Sequence, residues 1–138
     1  MKRVMLLAVG VSCLLAGMAV PASAQFRQTM TLRSKVPFAF VSGDRTIQGG
    51  EYSIEIKQRL VRFIDANGHL AQMIFSNPQQ DSSREEKPRL VFHKYGDAYF
   101  LWQIWTGEYT ADFRMSRAEY NLRASLKTDP DTVILAMR

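Results

Sequence analysis

The sequence has a single cysteine, Cys13, and only two histidines, His69 and His93. Cys13 sits inside an apolar N-terminal run. The chain beyond that run therefore carries no thiol, which excludes disulfides, thiolate nucleophiles and thiolate metal sites there. The histidines fall on different predicted hairpins, without HxH or HExxH spacing, so no metal site is expected. A Gly-x-Ser-x-Gly elbow, a glycine-rich phosphate loop and zinc-finger spacing are all missing. Glu85-Glu86 and Asp129-x-Asp131 look like solvated loop and turn residues. No catalytic residue, cofactor or metal is expected. No run of five or six like charges appears, and neither an internal repeat nor a second domain is visible.

The one long apolar run opens the chain. Lys2 and Arg3 precede an uncharged stretch from Val4 to Val20, Pro21 breaks it, and Ala22-Ser23-Ala24 supplies small residues where a signal peptidase needs them. This order predicts a cleavable signal peptide over residues 1–24, with Ala24 and Gln25 flanking the cut. The run is shorter than the roughly 20 apolar residues of a membrane-spanning helix, so no transmembrane segment is expected after cleavage. Gly10-Val11-Ser12 lacks the leucine usual upstream of a lipidated cysteine. Residues 25–138 then form one domain's worth of chain in the periplasm or the medium.

The formal net charge is +5, and two of those charges leave with the leader. The remainder are scattered and read as solubilising charge. Export and scatter together argue against nucleic acid as a partner.

Alternation and turns predict a mostly β chain. Val36-Pro37-Phe38-Ala39-Phe40 alternates like a half-buried strand, with Pro37 placing it at an edge or bulge. Gly43-Asp44 suits a type II′ turn into a partner strand, Arg45 to Lys57, which Gly49-Gly50 bends. Leu60 to Asp65 and His69 to Phe75 flank Asn67-Gly68, a type I′ signal. Ser76 to Pro88 is polar and reads as a long connection. Leu90 to Tyr95 and Tyr99 to Trp105 form a hairpin around Gly96-Asp97, closed by Gly107. Ser116-Arg117-Ala118-Glu119 is a capping box, with Met115 and Tyr120 at the staple positions. It opens a helix from Arg117 to about Lys127, with Ala118, Leu122 and Leu126 on one face. Thr132 to Met137 reads as a last strand. The expected fold is an antiparallel sandwich or small barrel of about seven strands with one helix late in the chain. An outer-membrane barrel fits poorly, given the weak lipid-facing alternation and the helix among the strands.

The unusual feature is a concentration of aromatics from Phe92 to Phe113. Tyr99 to Trp105 is bulky on both faces: simple alternation puts Tyr99, Leu101 and Trp105 on one side and Phe100, Trp102 and Ile104 on the other. Such a strand is expected to be central, with core on one side and a helix or ligand on the other. Tyr99, Trp102 and Trp105 are the candidate residues for binding an apolar ligand or an envelope protein.

The segments from Leu90 to Leu101, Ser116 to Glu119, Val36 to Phe40 and Gly49 to Tyr52 together resemble small exported β-rich proteins of soil bacteria, an uncharacterised family. The resemblance implies export and a β-rich fold, and brings no functional residues. The expectation is a non-enzymatic exported β domain that binds a partner or apolar ligand. An envelope hydrolase or a purely structural envelope protein is the alternative.

Overall fold

The computed structural model describes residues 29–80 and 87–138. The segment expected as a leader, Cys13 and the Ala24–Gln25 junction lie outside the described residues. The chain is mostly β. In order it forms β1 (Met30–Val36), β2 (Phe40–Ser42), β3 (Arg45–Ile47), β4 (Gly50–Lys57), β5 (Leu60–Asp65) and β6 (Leu70–Phe75). There follow β7 (Asn77–Gln80), β8 (Arg89–Tyr95), β9 (Ala98–Trp105), β10 (Tyr109–Asp112), the helix α1 (Arg117–Leu126) and β11 (Asp131–Ala136).

Two sheets face each other. The first is antiparallel with order β1-β4-β5-β6, and the second runs β11-β8-β9-β10-β7. The β2–β3 hairpin joins the second sheet at β9 through one parallel pair, Val41 with Phe100. The architecture is sandwich-like, and no closed barrel forms among the described residues. The sheets touch at two corners. Arg33 and Arg138 exchange backbone hydrogen bonds, and the Gln72 amide donates to the Ser42 carbonyl at 2.7 Å.

Period-two patterning decides which side chains meet. Tyr52, Ile54 and Ile56 of β4 and Val61 and Phe63 of β5 turn inward, as do Leu90 and Phe92 of β8. Phe40 sits where the sheets meet, edge-on to Phe92 at 5.3 Å and tilted against Phe63 at 5.9 Å, arrangements that suit the aromatic quadrupole.

Several expectations change in detail. Eleven strands form among the described residues, where about seven were expected. Pro37 divides the first expected strand, ending β1 at Val36 and leaving β2 to start at Phe40. The long strand to Lys57 is cut at Gln48-Gly49, where the chain leaves the second sheet for the first. Gly49 suits this point, because a Cβ would stand 3.0 Å from the Val36 carbonyl oxygen, tighter than an ordinary contact. Asn77–Gln80, expected as loop, pairs with β10; Pro78 is tolerated because β7 is an edge strand. Arg59 holds the entry to β7 through the Ser76 carbonyl and the Asn77 side chain.

The Asn67-Gly68 turn is not type I′. Gly68 alone has positive φ, and its amide donates to the Asp65 carbonyl, so a type I turn precedes a left-handed glycine. The Asp65 carboxylate accepts from the amides of His69 and Asn67. The His69 amide is the larger reason that this carboxyl titrates below its ordinary range.

Candidate functional site

The outer face of the second sheet carries the candidate site. Strand β9 is central, paired with β8 on one side and with β2 and β10 on the other. Its alternation is broken. A register shift between Val91 and Phe92 of β8 sits opposite the Trp102-Gln103 step. Leu101 and Ile104 therefore both enter the core, while Trp102 and Gln103 both stay outside. Trp105 follows Ile104 and returns to the outer face. The simple alternation, which opposed Trp102 to Trp105, is thus corrected: one extra residue brings both indoles to one surface.

Tyr99 is on the other side. It packs against the core periphery, stacked on Phe38 at 3.8 Å between ring centroids. Of the three candidate residues the structure brings together Trp102 and Trp105 and leaves Tyr99 apart.

Two polar clusters flank the indoles. In the first, Glu119 of α1 accepts from His93 Nδ1 at 2.6 Å and from the Tyr95 hydroxyl at 3.2 Å. Trp102 stacks on the His93 ring at 4.3 Å. Burial chiefly, and the neighbouring Glu119 charge next, push the Tyr95 hydroxyl above its ordinary pKa. Tyr95 also meets Phe100 edge-on. These aromatics form a second buried layer between sheet and helix.

The helix starts as expected, with Ser116 Oγ accepting from the Glu119 amide, and Lys127 closes it in the left-handed conformation. Its packing differs from expectation. Glu119 does not reach back to Ser116, and it is the one buried residue of α1, only 3% exposed. Ala118 and Leu126 are exposed and Leu122 half-buried. The helix docks through a carboxylate, not an apolar stripe. Met115 and Tyr120 are both exposed; they line, with Arg123 and Ala124, a hollow of about 410 Å³ at the helix surface.

In the second cluster the Gln103 amide donates to Asp112 Oδ1 at 2.9 Å, and the Trp105 indole N–H donates to Gln103 Oε1 at 3.2 Å. The Arg89 guanidinium lies over the Trp105 ring at 4.1 Å. Burial raises the Asp112 carboxyl above its ordinary pKa, against a smaller opposing pull from the Gln103 bond. Trp102 is 37% exposed and Ile134 of β11 is 56% exposed.

Glu119, His93, Gln103 and Asp112 were not visible as a group in the sequence. Glu119 matched a capping box, which hid its tertiary role. Gln103 and Asp112 become neighbours only through the β9–β10 register. The one available signal was a helix whose apolar stripe is too narrow to cover two tryptophans.

No group of three or more metal-ligating side chains converges among the described residues. No helix among them is long and apolar enough to cross a membrane. The chain matches no known protein-family model, and neither a curated protein nor a solved structure shows significant similarity to it.

Proposed function

We propose that this chain is an exported, non-enzymatic β domain of the periplasm or medium that binds a ligand or partner through the outer face of its second sheet. The signal-peptide pattern of residues 1–24 and the resemblance to small exported proteins support the location. One observation carries the binding reading. Trp102, a large rigid indole, stays exposed while stacked on His93, on a face that also holds Trp105. Exposed aromatics held rigid lose little entropy on binding, which suits them as anchors.

The test is native mass spectrometry of the full chain purified from its own host, compared with Trp102→Ala. A bound species present in the parent and lost from the variant supports the reading. Parent and variant both free of bound species would remove it.

An envelope hydrolase is the second reading, and the buried His93–Glu119 pair favours it, because a carboxylate that orients an imidazole is a general-base arrangement. It ranks lower on geometry. Trp102 lies on the imidazole, leaving that side chain 12% exposed, and the Glu119 oxygen that holds His93 also accepts from Tyr95. Under that reading the parent turns over a substrate and His93→Asn does not; under the first reading neither protein shows turnover.

A further inference from the structure

We infer that the ligand of this face is an uncharged pyranose chain, laid over Trp102 and hydrogen-bonded at Asp112 and Gln103. The inference rests on the binding reading and names the ligand class for the same site.

The chemistry of the face selects the ligand. Trp102 offers an apolar plane, and the ring carbons of a pyranose present a matching plane of C–H groups. Directly beside it are groups that an apolar ligand cannot satisfy. Asp112 and Gln103 are half-buried and hydrogen-bonded to each other through Asp112 Oδ1. Among the described residues no donor reaches Asp112 Oδ2. A lipid chain covering this cluster would strip its water without replacing the hydrogen bonds, which costs free energy. A sugar hydroxyl brings the donor that the carboxylate lacks. Asp112 and the Arg89 guanidinium over Trp105 put one charge of each sign on this face, so its charges select neither an anion nor a cation, and a neutral, donor-rich ligand fits it.

Shape points the same way. The indoles lie on an open sheet surface, and the hollow beside Met115 and Tyr120 belongs to the helix instead. Trp102 and Trp105 are three residues apart on one strand, roughly 10 Å along its axis. The cross-strand row through Ile134, Val91, Gln103, Asp112 and Asn77 passes between them. An extended chain of linked rings can contact both the plane at Trp102 and the polar groups of this row. An isolated small molecule on an open face would bury too little of itself.

The pairing also explains why the face is fixed before ligand arrives. Trp102 rests on His93, which Glu119 holds, and the Trp105 N–H is fixed by Gln103. Ordering costs are met within the fold, which is what an uncharged, flexible ligand requires of its receptor.

The experiment is a tryptophan-fluorescence titration of the full chain with cellohexaose, chitohexaose and xylohexaose, using Trp105→Phe so that Trp102 is the sole reporter. A saturable blue shift with at least one hexasaccharide is expected. Trp102→Ala, followed by calorimetry in the Trp105-containing chain, should weaken that binding roughly tenfold or more, as truncation of an aromatic anchor does. Because Trp102→Ala also removes a ring from His93, Asp112→Asn is the second variant. It keeps the shape and the Gln103 bond and replaces the free acceptor, and should weaken binding several-fold while the protein stays folded. No saturable change with any of the three, or binding indifferent to both substitutions, overturns the inference. The two readings separate cleanly. A non-glycan species retained from the host and lost in Trp102→Ala leaves the binding function standing and removes the glycan.

Discussion

His93 Nδ1 lies 2.6 Å from Glu119 Oε1, and this contact joins the sheet to α1 through the one buried side chain of that helix. A helix of ten residues is marginal alone, so its position depends on what it buries. Here it buries a carboxylate, satisfied by an imidazole and a phenol from β8.

The first prediction follows from that contact. Glu119→Ala leaves His93 and Tyr95 without their shared acceptor, and should cost about 1.5–3 kcal/mol, the range for hydrogen bonds to a charged group. Ser116→Ala removes only the cap and should cost roughly 1 kcal/mol. This order reverses what the capping box alone implies, which is the smaller cost at Glu119. Urea melts of both variants check it. A Glu119→Ala protein no less stable than Ser116→Ala would mean that the helix is held by other contacts.

The second prediction concerns pH. Burial raises the Asp112 carboxyl in the folded state. A carboxyl with a raised folded pKa holds its proton more tightly folded than unfolded. Its contribution to stability is fully present below the unfolded value of about 3.9 and is lost as pH rises through the folded value. Asp112→Asn should therefore match or exceed the parent at neutral pH, by no more than about 1 kcal/mol since the site is only partly buried. It should also lose that part of the decline with rising pH. Denaturant midpoints across the acid range for the two proteins give the comparison. A clearly less stable Asp112→Asn at neutral pH would mean that the carboxylate is held by favourable charge.

Much of the fold was legible because it rests on period-two burial and on turn residues. Tyr52, Ile54 and Ile56 alternate with Glu51, Ser53 and Glu55, and β4 keeps that alternation although the expected strand is cut ahead of it. Gly43-Asp44 and Gly96-Asp97 each begin with a glycine at positive φ and each closes a hairpin. The β7–β10 pair was hidden, because Asn77–Gln80 has no apolar side chain but Pro78, and its strand character comes from its partner. The site was hidden by one bulge. Alternation is a local rule, and an inserted residue at Trp102-Gln103 reverses every later side chain on that strand. Nothing local to the sequence marks it, because the cause is the register of β8. Glu119 was obscured for a different reason: a capping-box carboxylate has two available destinations, and only the packed fold decides between Ser116 and His93.

A third prediction uses the turn between β4 and β5. Gln58 holds φ at 57°, in the region that side chains with a Cβ disfavour. Gln58→Gly removes that strain and should stabilise the protein by up to about 1 kcal/mol, reduced by the greater freedom of glycine in the unfolded chain. A thermal melt decides the sign. A lower midpoint for Gln58→Gly would show that the glutamine side chain contributes more than its backbone costs.

The fourth prediction separates two adjacent glycines that composition alone treats alike. Gly49 and Gly50 lie where the chain passes from the β2–β3 hairpin into β4. Neither has positive φ, so conformational freedom does not distinguish them. Space does. A Cβ on Gly49 would meet the Val36 carbonyl oxygen at 3.0 Å and the Phe38 amide nitrogen at 3.1 Å. Both are backbone atoms, and Val36 is fully buried at the end of β1, so they cannot swing aside as a side chain would. A Cβ on Gly50 would come no nearer than 3.8 Å to any atom beyond its chain neighbours, the nearest being those of the Tyr52 side chain, an ordinary contact. Gly49→Ala should therefore cost about 1–3 kcal/mol, the usual penalty for overpacking a rigid site. Gly50→Ala should be near neutral, or stabilising by up to about 1 kcal/mol through the unfolded chain's lost freedom. Parallel urea melts of the two single variants supply the measurement. Equal losses would mean that the crossover has room at Gly49, and that the close approach of β1 to this bend does not hold the two sheets in place.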